Sequence, residues 1–209
     1  MVSQHCSMRS QEEGEVQEPH KAVVTQQRNV RTYSELWHAS KCVLDAGLRE
    51  PKGSSWQFMS SAVLTAFAFE AYKNHVGETV LSSWSGLERL SPLAKLDLLC
   101  EVLKVQLPGA DQRPRQTLDR LFKFRNTLAH GRTHTITSSP KRVDADKVDD
   151  HFGQRLLTEW QQLIRDSKFA ERAREDVETV VRAIHDVRPE PKDYPFTFGF
   201  GIGSATIVE

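Results

Sequence analysis

An arginine, an asparagine and a histidine stand within six residues of one another at Arg125, Asn126 and His130. This is where the chain concentrates groups that handle phosphates and protons. The planar guanidinium fork of an arginine donates bidentately to a phosphate. An imidazole changes charge near neutrality and so suits proton transfer. Scission of RNA by its own ribose 2′-hydroxyl calls for these parts: a base, an acid and a donor that stabilises the extra charge of a phosphorane. One chain supplies one such histidine, whereas the reaction wants both an acid and a base. Two copies related by a twofold axis would provide the pair, and an isologous dimer makes that juxtaposition automatic.

The element that must present these residues is a helix. Leu118, Leu121, Phe122, Arg125, Leu128 and Ala129 recur at helical spacing and predict a helix from Pro114 to His130. Gly131 then falls where a left-handed C-terminal cap is wanted. Asn126 and His130, four residues apart, share a face at about 40° from each other, and Arg125 lies about 140° from His130, given ~100° per residue. At this end of a helix the dipole favours a protonated imidazole. Arg125 sits seven residues after Leu118, on the apolar line, and so points inward. Its natural partner is Glu70, which follows Val63 by seven residues on an otherwise apolar stripe. An unpaired carboxylate there would be costly.

Around that helix the same periodicity predicts a bundle. Leu36, Ala39, Val43, Leu44 and Leu48 mark a first helix over 31–50, with Ser34 as N-cap of its core and Pro51-Lys52-Gly53-Ser54 as its break. A second helix over 55–75 carries two apolar stripes: Trp56, Met59, Val63 and Phe67, and Phe58, Ala62, Phe69 and Tyr72. A helix without a polar face belongs at the centre of a bundle. Residues 77–86 read as a loop. Ser91-Pro92 reads as an N-cap followed by proline in the first turn, opening a third helix that ends before Leu107-Pro108-Gly109. Residues 131–150 form a polar loop or short hairpin. Helical spacing returns from Leu156 to Ile164 and from Phe169 to Ile184, as one helix or two, and stops at Arg188-Pro189. The expected fold is all-α: a bundle of four to five helices over 29–188, a disordered leader over 1–28, and an extended aromatic, glycine-rich tail over 189–209. The tail is expected to be loose or to add to a partner as a strand.

Composition narrows the chemistry. The 209 residues carry 28 basic and 28 acidic side chains, so no global basic footprint draws in a polyanion and a local cluster must hold any anionic ligand. Cys6, Cys42 and Cys100 show no CxxC spacing, which points to a reducing cytoplasm rather than a disulfide framework or zinc site. No signal peptide is visible and the apolar run at 62–69 is too short to span a bilayer. No cofactor is called for. Arg132 and His134, just past the helix, could join an RNA-binding pocket. His130 and His134 would share a metal only on one helix, which Gly131 argues against. Lys141-Arg142 with Arg113 and Arg115 could attract RNA, though short charge pairs are more often solvated surface. Gly199-x-Gly201-x-Gly203 lacks the strand–helix unit of a dinucleotide loop.

The Arg125-Asn126-x-x-x-His130 spacing resembles the Rx4–6H signature of the HEPN superfamily. The surrounding bundle is similar too, with Phe69-Glu70-Ala71 on the second helix and Leu93-Ala94-Lys95-Leu96 on the third. The resemblance covers roughly 31–187. It implies a metal-independent endoribonuclease that acts as a homodimer, in phage defence, a toxin–antitoxin pair or RNA processing. Arg125 and His130 would then be catalytic, with Asn126 supporting them. It also leaves room for an antitoxin or nucleotidyltransferase partner. Some members of that superfamily are inactive, so a second reading stands beside the first. Arg125 and Glu70 are then a structural ion pair that fixes the bundle, and the chain is a non-catalytic module for dimerisation, partner or nucleotide binding.

Overall fold

The computed structural model describes residues 21–87, 89–152, 156–189 and 194–208. Most of them are helical. The first four helices are α1 (Thr32–Arg49), α2 (Ser55–Val80), α3 (Pro92–Leu103) and α4 (Arg115–Ala129). Three more follow, α5 (Val148–Phe152), α6 (Glu159–Leu163) and α7 (Lys168–Val187). Two strands, β1 (Lys21–Arg28) and β2 (Gly201–Val208), complete the described residues. The chain divides into a helical unit, Val30–Phe198, and a second unit that holds the two strands.

Within the helical unit α2 is central and packs against α1, α3, α4 and α7. One stripe explains this: Phe58, Ala62, Ala66, Phe69, Tyr72 and Val76 are all buried. They meet Leu96 and Leu99 of α3, Leu118, Leu121 and Phe122 of α4, and Val177, Val180 and Ile184 of α7 in one core. Burial is not uniform around α2, however. Trp56 is 59% and Phe67 40% exposed, while Met59 and Val63 between them are half-buried and pack on the core, so the ends of this stripe reach the surface.

Several boundaries differ from those the sequence predicts, each for a local reason. α2 continues to Val80 instead of stopping at 75. Gly77 is there because the Trp84 ring presses on it: a Cβ at this position would lie 2.1 Å from Trp84 Cδ2. Its absence lets an aromatic ring lie on the helix, and no turn occurs at this glycine. Ser34 does not cap α1, whose N-cap is Arg31; the Ser34 hydroxyl donates to the Thr197 carbonyl at 2.8 Å. Ser91 does cap α3, accepting from the Ala94 N–H at 3.2 Å. After the irregular polar stretch 131–144, short helices appear where a loop or hairpin is expected. α6 starts only at Glu159 because Thr158 and Gln161 form a reciprocal capping box.

The tail is not loose over Tyr194–Phe198. Phe196 stacks on Trp37 with ring centroids 4.1 Å apart, and the Arg174 guanidinium lies 3.8 Å over Trp37. Arg174 also donates to the Trp37 carbonyl at 2.9 Å. The His38 ring Nε2 meets the Phe196 carbonyl at 3.1 Å. An aromatic–guanidinium sandwich thus ties the end of the unit to α1 and α7.

The remaining unit is a two-stranded antiparallel ribbon, with Lys21 opposite Val208 and Arg28 opposite Gly201. Lys21–Arg28 lie inside the stretch expected to be a disordered leader; they are a strand, and its partner is the tail of the same chain. Residues 1–20, the rest of that leader, lie outside the described residues. All of β1 is exposed. Among the described residues no helix is long and apolar enough to cross a membrane.

Candidate functional site

Glu70 on α2 and Arg125 on α4 face each other where the two helices cross, and the Glu70 carboxylate accepts from Arg125 Nη2 in an ion pair. Arg125 Nη1 donates to the Asn126 side-chain oxygen at 2.8 Å. The guanidinium also rests against the Phe67 and Phe122 rings, 5.9 and 5.8 Å from their centroids. Its side chain is 16% exposed and that of Glu70 29%. Five N–H donors are available to an arginine, and these two bonds leave donors over. Its buried Nε has no hydrogen-bond partner among the described residues. Arg125 is therefore clamped, with part of its donor capacity unused and little of its surface exposed.

Beneath this pair lies Lys73, fully buried. Its ammonium donates to the Pro92 carbonyl and sits 4.7 and 4.6 Å from the centroids of Phe69 and Phe122. Burial pushes its pKa down to about 7, against the opposing pull of Glu70. Sequence reasoning passed over this residue because one lysine in an apolar helix looks like a snorkelling side chain.

α4 ends at Ala129, and His130 is its C-cap, with its N–H bonded to the Asn126 carbonyl at 2.9 Å. The His130 side chain is exposed. Gly131 does not adopt the left-handed cap expected of it, since Gly53 is the described glycine with positive φ. The approach of the backbone is nevertheless close here, because a Cβ at position 131 would meet the Thr127 carbonyl at 3.1 Å.

An open cavity of about 870 Å³ lies beside this helix end, lined by Asn126, His130, Arg132, His134, Leu156 and Trp160 among others. A second, of about 760 Å³, continues along α4 past Thr127, Lys123 and Arg120 and shares Thr158 and Trp160 with the first. The His134 ring Nδ1 lies 3.1 Å from the Arg132 carbonyl. The fold thus gathers Asn126, His130, Arg132 and His134 around one cavity. Arg125 and Glu70 do not line it. Asn126 touches both sides, bonding Arg125 and lining the cavity.

Arg113 and Arg115 are engaged elsewhere. Arg113 makes a forked pair with Asp176 at 2.8–3.1 Å and reaches Glu175 at 2.7 Å, while Arg115 pairs with Asp97. Among the described residues no group of three or more His, Cys, Asp or Glu side chains is placed to hold a metal ion. Lys123 and Arg120 do not stand out in the sequence, and Trp160 reads there only as an apolar position of the helical spacing between Leu156 and Ile164. The signal was present in the polar stripe Gln116, Arg120, Lys123 and Thr127 at helical spacing, but a polar helix face ordinarily means only solvent. Comparison with family models, with curated proteins and with solved structures returns no match.

Proposed function

We propose that the chain is a metal-independent endoribonuclease of the HEPN kind, acting as a homodimer, with its setting a defence or toxin–antitoxin system. The observation that supports it best is the pairing of a clamped but incompletely used arginine with an exposed histidine five residues on. Arg125, held by Glu70 and Asn126, keeps donors for a phosphate oxygen and stabilises the phosphorane. His130, at the solvent-facing end of α4, transfers the proton. Asn126 positions the arginine and Glu70 supports it. The second histidine comes from the other copy, so that one acts as base and the other as acid.

The low exposure of Arg125 favours a second reading, in which the ion pair serves only the α2–α4 crossing and the chain is a non-catalytic dimerisation or binding module. One experiment separates them. Purified protein is incubated with mixed RNA and a chelator, beside Arg125→Ala and His130→Ala. The proposal expects wild-type cleavage leaving 2′,3′-cyclic phosphate ends, and a loss of at least about 100-fold in each variant, the range of a general acid–base or charge-stabilising group. Undiminished cleavage by both variants would sink the site, and no cleavage by wild type favours the module.

A further inference from the structure

The two cavities beside α4 form one trough, and its shape, charge and aromatic content go beyond what proton transfer at His130 requires. Gln116, Arg120, Lys123, Thr127 and His130 follow one another at helical spacing on the outer face of α4 and its cap, and all five are exposed. They line a strip about 21 Å long at ~1.5 Å per residue. Across from them stand Thr158 and Trp160, the two residues of α6 and its cap that border both cavities.

The charges in the trough are unequally satisfied. Lys123 is bound to Asp119 at 2.7 Å, but Arg120 and Arg132 have no side-chain partner among the described residues. Against Arg120, Lys123 and Arg132 stand two lining carboxylates, Asp119 and Glu159. The surplus is positive before His130 and His134 are counted. Trp160 is half-buried, with one part packed on the core and the rest opening onto the trough. An indole held partly in the core has less rotamer freedom left to lose, so a base that stacks on its open part does so at little entropic cost. A basic strip beside a fixed aromatic ring is the combination that holds single-stranded nucleic acid: cations follow the backbone, and a base stacks without regard to its identity. An acidic peptide would use the cations but not the ring.

We infer that this trough is a subsite for single-stranded RNA flanking the scissile phosphate, with Arg120 and Lys123 on the backbone, Arg132 nearer His130, and one base stacked on Trp160. The subsite rests on the ribonuclease reading for its place beside His130, but its binding does not depend on cleavage. It is tested with a fluorescein-labelled 2′-O-methyl oligoribonucleotide of mixed sequence, in which the attacking hydroxyl is blocked. Anisotropy titrations compare wild type, Trp160→Ala, Trp160→Phe and the exposed double variant Arg120→Glu/Lys123→Glu, with circular dichroism to confirm folding.

Wild type should bind with an affinity that falls as salt rises. Trp160→Ala and the double variant should each bind about tenfold more weakly or worse, while Trp160→Phe, which keeps a stacking face, stays within about threefold. Intrinsic tryptophan fluorescence should be quenched by the unlabelled oligomer in wild type and much less in Trp160→Phe. A poly-glutamate peptide should compete poorly. No binding at low salt, equal binding by all four proteins, or equal competition by the peptide overturns the subsite. Binding with this pattern but no cleavage of ordinary RNA retains the subsite and removes the ribonuclease reading. Cleavage of RNA that is indifferent to Trp160, Arg120 and Lys123 does the reverse.

Discussion

Lys73 and Arg125 share the Phe122 ring and Glu70 joins them at the crossing of α2 with α4, yet the three differ sharply in access to water. Glu70 and Arg125 keep part of their surface exposed; Lys73 keeps none. Desolvation is the main reason its pKa falls from 10.5 to about 7, with Lys95, Arg125 and Arg115 adding repulsion and Glu70 opposing it. The consequence for stability has a definite sign. Between about pH 7 and 10.5 the unfolded chain holds the Lys73 proton and the folded chain does not. Proton uptake on unfolding means that stability rises with pH across that window. Below about 7 the ammonium is charged in both states and its full burial cost is present. Lys73→Met, similar in length and without a charge to bury, should therefore raise the urea midpoint at pH 7 and flatten its rise between pH 7 and 10. If wild type shows no such rise, Lys73 is better solvated than its surroundings imply. The same residue shows where sequence reasoning stops. A period-seven argument finds Glu70 and its arginine because opposite charges on facing apolar stripes imply each other. Nothing in the local sequence says that the next lysine on α2 points at two phenylalanines.

Element limits were legible where the chain's own chemistry sets them and obscure where a distant side chain does. Ser91-Pro92 announces α3, and Pro51-Lys52-Gly53 ends α1, because capping and breaking are local. Gly77 misleads, since glycine is read as a turn when a neighbouring tryptophan is the actual cause of its presence. Gly131 misleads too, since it has no positive φ and lies close to the Thr127 carbonyl instead. The helix-forming stretch from 156 was right in kind, but the Thr158–Gln161 box moves its start to Glu159. For Gly77 the geometry is specific enough to test. Gly77→Ala sets a methyl group against the Trp84 ring, which is itself buried at 3% exposure. Overpacking of this kind costs typically about 1–3 kcal/mol, enough to lower the thermal midpoint by several degrees. In a Trp84→Ala background the same substitution should be nearly neutral or favourable, since alanine is the better helix former by about 1 kcal/mol. The two variants should thus be strongly coupled in a double-mutant cycle. Additive losses would mean that the ring is not what excludes a side chain at 77.

At the scale of the molecule the proposal makes its largest demand, a second copy. The helical unit supplies a reason to expect one. α2 is central, as its two apolar stripes predict, yet it leaves Trp56 and Phe67 at the surface, on the side of the helix that also carries Glu70. Phe67 lies against the Arg125 guanidinium, so an apolar surface and the clamped arginine are continuous. An isologous interface laid on this side of α2 would cover Trp56, Phe67 and the Arg125 guanidinium beside Phe67. Phe67→Glu and Trp56→Glu place a carboxylate on that surface without reaching the core. If the surface is the dimer interface, wild type should sediment as a dimer, and each variant should shift to monomer with an unchanged helical circular dichroism spectrum. RNA cleavage should fall with the dimer population, not independently of it. Because Glu at 67 could also pair with Arg125 directly, Trp56→Glu is the cleaner of the two. A wild-type monomer that cleaves RNA, or a Trp56→Glu monomer that retains full activity, would show that one chain holds a complete site and that the second histidine must be sought within it, with His134 the nearest candidate.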